Sequence, residues 1–193
     1  MKLGQMFEKY YLDKYYIRYS LREIKKQFGD TPLVGVEIGT RDGSNARLFC
    51  KHLNIKCLYL VDPYDAYCDV GSVKSFHNSF LHAKKILSSY SNKVRFIKRL
   101  SEDAVELIPN NLDFVYIDGN HSYDFVKKDI ELYYPKLNAN GIIGGHDFNC
   151  PDVAHAVIEY AVANDLNIER SFCLPRIDWV FKSGVKPNED RAI

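Results

Sequence analysis

The chain lacks the features that most directly announce a protein's class. No apolar run reaches the roughly twenty residues that a membrane-spanning helix needs. The first residues carry no apolar core of a signal peptide, which sets the expectation of an intracellular, cytoplasmic protein. Neither sign of charge is in excess: 26 Lys and Arg against 25 Asp and Glu leave a net +1. That balance gives no global electrostatic case for nucleic acid or an acidic membrane. The five cysteines (Cys50, Cys57, Cys68, Cys150, Cys173) are odd in number and scattered, with no C-x-x-C pair. They suggest neither a disulfide framework nor zinc. No repeat, linker or low-complexity tract breaks the chain. What remains is an ordinary globular composition, 46% hydrophobic and 26% charged, over 193 residues. That length suits one domain with a sizeable core.

One more absence is informative. Residues 34–43 read V-G-V-E-I-G-T-R-D-G, and β-branched and apolar residues at their start suit a buried strand. Ala46, Leu48, Phe49 and Leu53 then fall on one side of a helix. Strand, glycine turn and helix form the opening unit of a doubly wound sheet that holds a nucleotide-like ligand. A dinucleotide fingerprint, G-x-G-x-x-G, would fall on Gly39, Arg41 and Ser44, and its second glycine lets the backbone approach a pyrophosphate. Arg41 is a poor fit to that approach. The pattern present is E-x-G-x-x-x-G, on Glu37, Gly39 and Gly43. It resembles the first motif of the S-adenosylmethionine-dependent methyltransferases. Their cofactor has no phosphate, so the helix N-terminus would face a carboxylate.

Along the rest of the chain, Phe7, Tyr10, Tyr11, Lys14, Ile17, Leu21 and Ile24 recur at helical spacing and predict one or two amphipathic helices. Gly29-Asp30-Thr31-Pro32 ends them. Packing against the sheet edge is the expectation for this segment, with a lid or a dimer face as the functional alternatives. Strands are predicted at 56–61, 93–98, 112–117 and 142–145, the last entered through an Asn140-Gly141 turn. Helices are predicted at 76–90, from Ser101 as cap, through Val126, Ile130, Tyr133 and Leu137, and at 151–164. Residues 167–174 and 178–182 read as an antiparallel β pair, and 186–193 as a polar tail. Residues 63–75 read as a loop over the mouth of the site, with Asp65, Tyr67 and Asp69 available to an acceptor. The fold class expected is α/β, a doubly wound Rossmann-like sheet. It is mostly parallel with an antiparallel strand near the C-terminus, and helices cover both faces. A single domain, 1–193, divides into an N-terminal helical extension at 1–32 and a core at 33–185.

Ligands in such sheets sit beyond the carboxyl ends of the strands. The polar residues at those ends are Glu37, Asp62, Asp118 with His121, and His146 with Asp147, so they should share one crevice. Asp62 lies roughly twenty residues past the glycine turn, where this fold places a carboxylate on ribose hydroxyls. Dehydrogenases and methyltransferases share that device. His121 or His146 is suited to take an acceptor's proton, with Asp118 or Asp147 fixing the tautomer.

The run Y-I-D-G-N-H-S-Y, then a helix, then L-N-A-N-G-I-I-G-G-H-D-F, resembles class I methyltransferases of the family 24 type. These are similar in turn to metal-dependent O-methyltransferases of the catechol and macrolide-sugar kinds and to cephalosporin hydroxylase-like proteins. The likeness runs from about residue 33 to about residue 163. It implies an S-adenosylmethionine site in which Glu37 meets the methionine ammonium and Gly39, Thr40 and Gly43 shape the turn. Asp62 takes the ribose, Ser101 lies near adenine, and Asp118 borders cofactor and acceptor alike. It also implies a divalent ion, Mg2+ or Mn2+, on Asp118, His146 and Asp147. His146 stands where the catechol-type enzymes carry an acid, and imidazole suits manganese, iron, nickel or zinc better than magnesium. The expected activity is methyl transfer to an oxygen of a small molecule or sugar, with no nucleic-acid or membrane partner and with a homodimer open through exposed aromatics. Two other readings stand beside it: a nicotinamide-dependent oxidoreductase, and a non-enzymatic module that keeps the pocket but binds a partner.

Overall fold

The computed structural model describes residues 18–64, 73–171 and 177–182, side chains at 73–76 excepted. The elements are α1 (Tyr19–Phe28), β1 (Leu33–Ile38), α2 (Ser44–His52), β2 (Ile55–Val61), α3 (Val73–Ile86) and β3 (Val94–Ile97). There follow α4 (Ser101–Ala104), β4 (Leu112–Ile117), α5 (Tyr123–Tyr133), β5 (Leu137–Gly145), α6 (Pro151–Ala163), β6 (Glu169–Arg170) and β7 (Trp179–Lys182). The seven strands form one sheet in the order β3-β2-β1-β4-β5-β7-β6. The strands from β3 to β5 pair in parallel, and β7 runs antiparallel to both β5 and β6. This is the expected fold class.

Parallel strands must be covered on both faces, because their crossovers lay helices over each side. Alternation along the strands divides the core accordingly. Val36, Ile38, Val115, Ile117 and Ile143 face α5 and α6 through Val126, Ile130, Val153 and Val157. Leu33, Leu58, Leu60, Phe114 and Tyr116 face the other way, against Leu21, Ile24, Phe49 and Leu53. The described part of the N-terminal segment therefore packs on the sheet, through Leu21 and Ile24 of α1. Residues 1–17 lie outside the described part, as do Asp65, Tyr67 and Asp69, residues 172–174 of the predicted β pair and the polar tail.

Three local expectations shift. The Asn140-Gly141 turn lies inside β5: Leu112 pairs with Leu137 and Phe114 with Ile142, so residues 138–141 bulge out of the ladder. Asn138 Nδ2 holds that bulge by donating to Asp113 Oδ1 at 2.7 Å. The helix expected at 76–90 begins earlier, at Val73, and ends at Ile86, with a short 3-10 turn at Ser88–Tyr90. Ser101 is not a cap. Leu100 holds that position with extended backbone, and Ser101 is the first helical residue. Its hydroxyl turns instead to Asp129 of α5.

The strand order reverses between β1 and β4, the pair at the centre of the sheet. The crevice of an open α/β sheet opens beyond the carboxyl ends of such a pair. Every site residue below sits around it.

Candidate functional site

One side of the crevice is built from the turn after β1. Gly39 (φ 86) and Gly43 (φ 78) are left-handed, and Arg41 between them shares that conformation at φ 48. The Gly43 N–H donates to the Thr40 carbonyl at 2.9 Å, closing a turn that aims α2 across the crevice. Arg41 N–H donates to Asp62 Oδ2 at 2.8 Å, and Tyr64 N–H donates to Asp62 Oδ1 at 2.7 Å. Asp62 thereby ties the β1 turn to the chain leaving β2. The Thr40 N–H adds a third contact, so of the carboxylate's about four lone-pair sites at least one stays open to a hydroxyl. Burial pushes the Asp62 carboxyl up, while the Arg41 and Tyr64 N–H bonds hold it down.

Glu37 lies beneath that turn, fully buried, and its Oε1 accepts from Asn45 Nδ2 at 2.7 Å. Burial raises its pKa to about 8 despite the Asn45 bond. Glu37 Oε2, Thr40 Oγ1, Asn45 Oδ1 and Tyr64 Oη are buried without a hydrogen-bond partner among the described residues. Each unsatisfied buried group of this kind costs about 1–3 kcal/mol. Four buried oxygens gathered around one turn, two of them hydroxyls that donate as well as accept, suit a polar ligand that carries N–H groups.

The other side comes from the ends of β4 and β5. Asp118 N–H donates to the Ile38 carbonyl at 2.8 Å, and His146 N–H to the Ile117 carbonyl at 3.0 Å, so three strand ends are stitched together. Asp147 is left-handed at φ 55, a strained conformation that Asp tolerates better than most residues. That twist brings Asp147 Oδ2 to 2.8 Å from His146 Nδ1 and 3.2 Å from His121 Nε2. Asp118 Oδ1 lies 3.7 Å from His121 Nε2 and 3.8 Å from His146 Nδ1. Asp118, and then Asp147, hold the His121 imidazolium above its ordinary pKa, with burial opposing. The His146 contact holds the Asp147 carboxyl below its ordinary value.

The expected residues thus converge, with a difference in roles. One ligand atom each from Asp118, His121 and Asp147 lies within 4.8 Å of the others, a donor set that fits a divalent ion. His146 instead sits beside Asp147, 13% exposed against 46% for His121, with its Nε2 buried and unpaired among the described residues. Sequence reasoning missed Asn45, Tyr64, Asp129, Arg18 and Asp178. Asn45 was the most accessible of these, since a polar residue on the apolar face of α2 is an irregularity in its pattern.

The family model described as a methyltransferase domain matches residues 36–148 of this chain. The uncharacterized protein R132 of Acanthamoeba polyphaga mimivirus is 30% identical over 133 residues, covering 66% of this chain and 57% of that protein. The chain therefore matches little more than half the length of that relative. Among solved structures, an rRNA methylase from Streptococcus thermophilus superposes with a TM-score of 0.64 at 13% identity, covering 85% of this chain and 93% of that one. The Streptococcus mutans protein SMU.1697c, in complex with SAH, gives 0.61 at 11% identity, covering 83% and 93%. These two likenesses concern the fold. The family match spans more than half of the chain and takes in the glycine turn and every strand end from β1 to β5; this chain belongs to the family 24 methyltransferase domains, within the class I S-adenosylmethionine-dependent methyltransferases.

Proposed function

We propose that the protein transfers a methyl group from S-adenosylmethionine to a hydroxyl oxygen of a small-molecule acceptor. One observation carries this reading: a carboxylate anchored to the β1 turn, Asp62, and the buried oxygens around Glu37 lie on the β1–β2 side of the crevice, while the His121–Asp147–Asp118 cluster lies on the β4–β5 side. The oxygens at Glu37, Thr40 and Tyr64 suit the ammonium of the methionine end, and Asp62 suits the ribose. Ser101, at the start of α4, borders the adenine.

The cofactor supplies a methyl group on a positively charged sulfur. Transfer is an in-line displacement in which the oxygen–methyl bond forms as the carbon–sulfur bond breaks, its electron pair remaining on sulfur. Holding acceptor and methyl in line contributes much of the acceleration in such a step. His121 is the exposed histidine of the cluster. With its Nε2–H turned to Asp147 Oδ2, its Nδ1 lone pair is available to receive the acceptor's hydroxyl proton. His146 braces Asp147 from the buried side. Asp118, His121 and Asp147 are also the residues that would hold a divalent ion, which would polarise the acceptor oxygen and lower its pKa. The mixed imidazole and carboxylate set favours manganese over magnesium. A near-neutral chain, at net +1, supports a small acceptor over a polyanion.

The test is calorimetric titration of the full chain with S-adenosylhomocysteine and with NADH, for wild type and Asp62→Ala. The homocysteine ligand is expected to bind and NADH not to. Asp62→Ala should weaken binding by about 10- to 100-fold, the effect of losing hydrogen bonds to a charged group. Absence of binding by the wild type, or preference for NADH, would remove the basis of the reading.

A further inference from the structure

Arg18 precedes α1 and Asp178 precedes β7, so both lie outside the stretch matched by the family model. The fold brings them together under the acceptor side of the crevice. Arg18 Nη1 donates to Tyr116 Oη at 2.6 Å and lies 3.6 Å from Asp178 Oδ1. Its guanidinium carbon stands 5.4 Å from the Tyr116 ring centroid. Asp178 is anchored in turn, its Oδ2 accepting from the Ser20 N–H at 3.1 Å and the Ser20 hydroxyl at 2.9 Å. From this base Arg18 Nη2 reaches Asp118 Oδ2 at 3.3 Å. The opposite oxygen of Asp118 is the one that faces His121 and His146.

We propose that Arg18 is the resident cation of the acceptor site: it fixes Asp118, offsets its charge, and so weakens the hold of the cluster on a divalent ion. This extends the reading above, since it takes the Asp118–His121–Asp147 cluster as the acceptor side. A guanidinium keeps its charge at every pH a protein meets, so the offset is permanent. Two cations sharing one carboxylate repel each other strongly in a partly buried setting. Arg18 is also not at liberty to swing aside. Its departure would leave Asp178, 1% exposed, as a buried carboxylate without a counter-charge. The terminal segments flanking the matched domain thus supply a charge that sets how weakly the cluster holds an ion. Arg18 acts through Asp118 and is a positioning residue.

The experiment is a Mn2+ titration followed by the electron paramagnetic resonance of the free ion, on the full chain and without any acceptor. Wild type, Arg18→Met and Arg18→Lys are compared, with Asp147→Asn added to the Arg18→Met background. Arg18→Met should bind Mn2+ about tenfold more tightly than wild type or better, and Arg18→Lys should stay within about threefold of wild type. Asp147→Asn should cancel the gain. Equal affinity in wild type and Arg18→Met, including no binding by either, overturns the proposal, as does a gain that survives Asp147→Asn. S-adenosylhomocysteine binding by each variant reports that the cofactor side is folded, and Arg18→Gln replaces Arg18→Met if the latter does not fold. Failure of the wild type to bind S-adenosylhomocysteine would strike the methyl-transfer reading, while the Mn2+ comparison would still decide the role of Arg18.

Discussion

The carbonyl oxygen of Asp118 lies 2.1 Å from the position that a Cβ on Gly39 would occupy. The Asp118 carbonyl carbon and Gly119 Cα are close behind, at 2.4 and 2.6 Å. The exits of β1 and β4 therefore touch backbone against backbone, with no room for a side chain. This contact joins the turn that would hold the cofactor to the carboxylate that would face an acceptor.

Gly39→Ala should accordingly be severe. The obstacle is backbone with no rotamer to escape into, and φ 86 is itself unfavourable for alanine. A loss of at least about 2 kcal/mol is expected, from strain and overpacking together. Gly29→Ala is the control, because Gly29 has φ 58 but nothing within 4 Å of its would-be Cβ. With ψ -122 its backbone is in a region that glycine alone adopts readily, so it should lose about 1–3 kcal/mol from that backbone term alone, less than Gly39→Ala, which adds the clash. Urea unfolding of both variants separates the two terms, and equal losses would mean that the β1–β4 contact yields.

Arg41→Gly should be nearly silent. The backbone there is already left-handed at φ 48, and the group that reaches Asp62 is the Arg41 N–H, which glycine keeps. Relief of strain and the added chain entropy of glycine oppose each other, each worth about 1 kcal/mol or less. Melting temperature and S-adenosylhomocysteine affinity are the measurements. A large loss of affinity would show that the Arg41 side chain, and not its backbone, serves the ligand.

What the sequence made readable was what depends on neighbours in the chain. The strand, the glycines and the helix at 34–43 are consequences of local backbone geometry, and acids at strand ends are placed by the strands themselves. Ser101 shows the limit. Its position at a helix start looked like a cap, but its hydroxyl is drawn to Asp129, a partner on another helix. Asn140-Gly141 carries a turn signature, yet the turn is absorbed as a bulge within β5. The Ser20–Asp178 and Arg18–Asp178 contacts had no local signal at all. Ser20 and Asp178 are 158 positions apart, and only the closing of β7 onto β5 brings them together. The choice between His121 and His146 was equally hidden, because it turns on the left-handed backbone of Asp147.

Asp178→Ala follows from that long-range anchor. It removes the acceptor for the Ser20 N–H and hydroxyl and the buried counter-charge of Arg18 in one step. Breaking a buried pair from one side costs about 3–5 kcal/mol. The loss should appear in urea unfolding as a lower midpoint with an unchanged slope. A cost below about 1 kcal/mol, the value of a surface pair, would mean that the network carries no weight.

Glu37 gives the last prediction, and its sign can be worked out. Its ordinary pKa of 4.5 rises to about 8 in the fold, chiefly through burial. Between those values the folded protein holds a proton at Glu37 that the unfolded chain has released. Stability contributed by this group is therefore greatest below pH 4.5, falls as pH rises toward 8, and is level above it. The slope within that window is at most about 1.4 kcal/mol per pH unit for one proton. Glu37→Gln should remove this slope, so the difference in urea midpoint between pH 5.5 and 8.5 should shrink relative to wild type. Buried Asp129, raised to about 7, adds a slope of its own that both proteins share and the comparison cancels. An ammonium brought against Glu37 reverses the balance by favouring the carboxylate. Binding of S-adenosylhomocysteine at pH 7 should then release a proton from Glu37. Titration calorimetry in buffers of different ionisation enthalpy reads that proton directly, and the release should be lost in Glu37→Gln. Binding with no proton released by the wild type would place the ammonium away from Glu37, leaving its unpaired oxygen to some other donor.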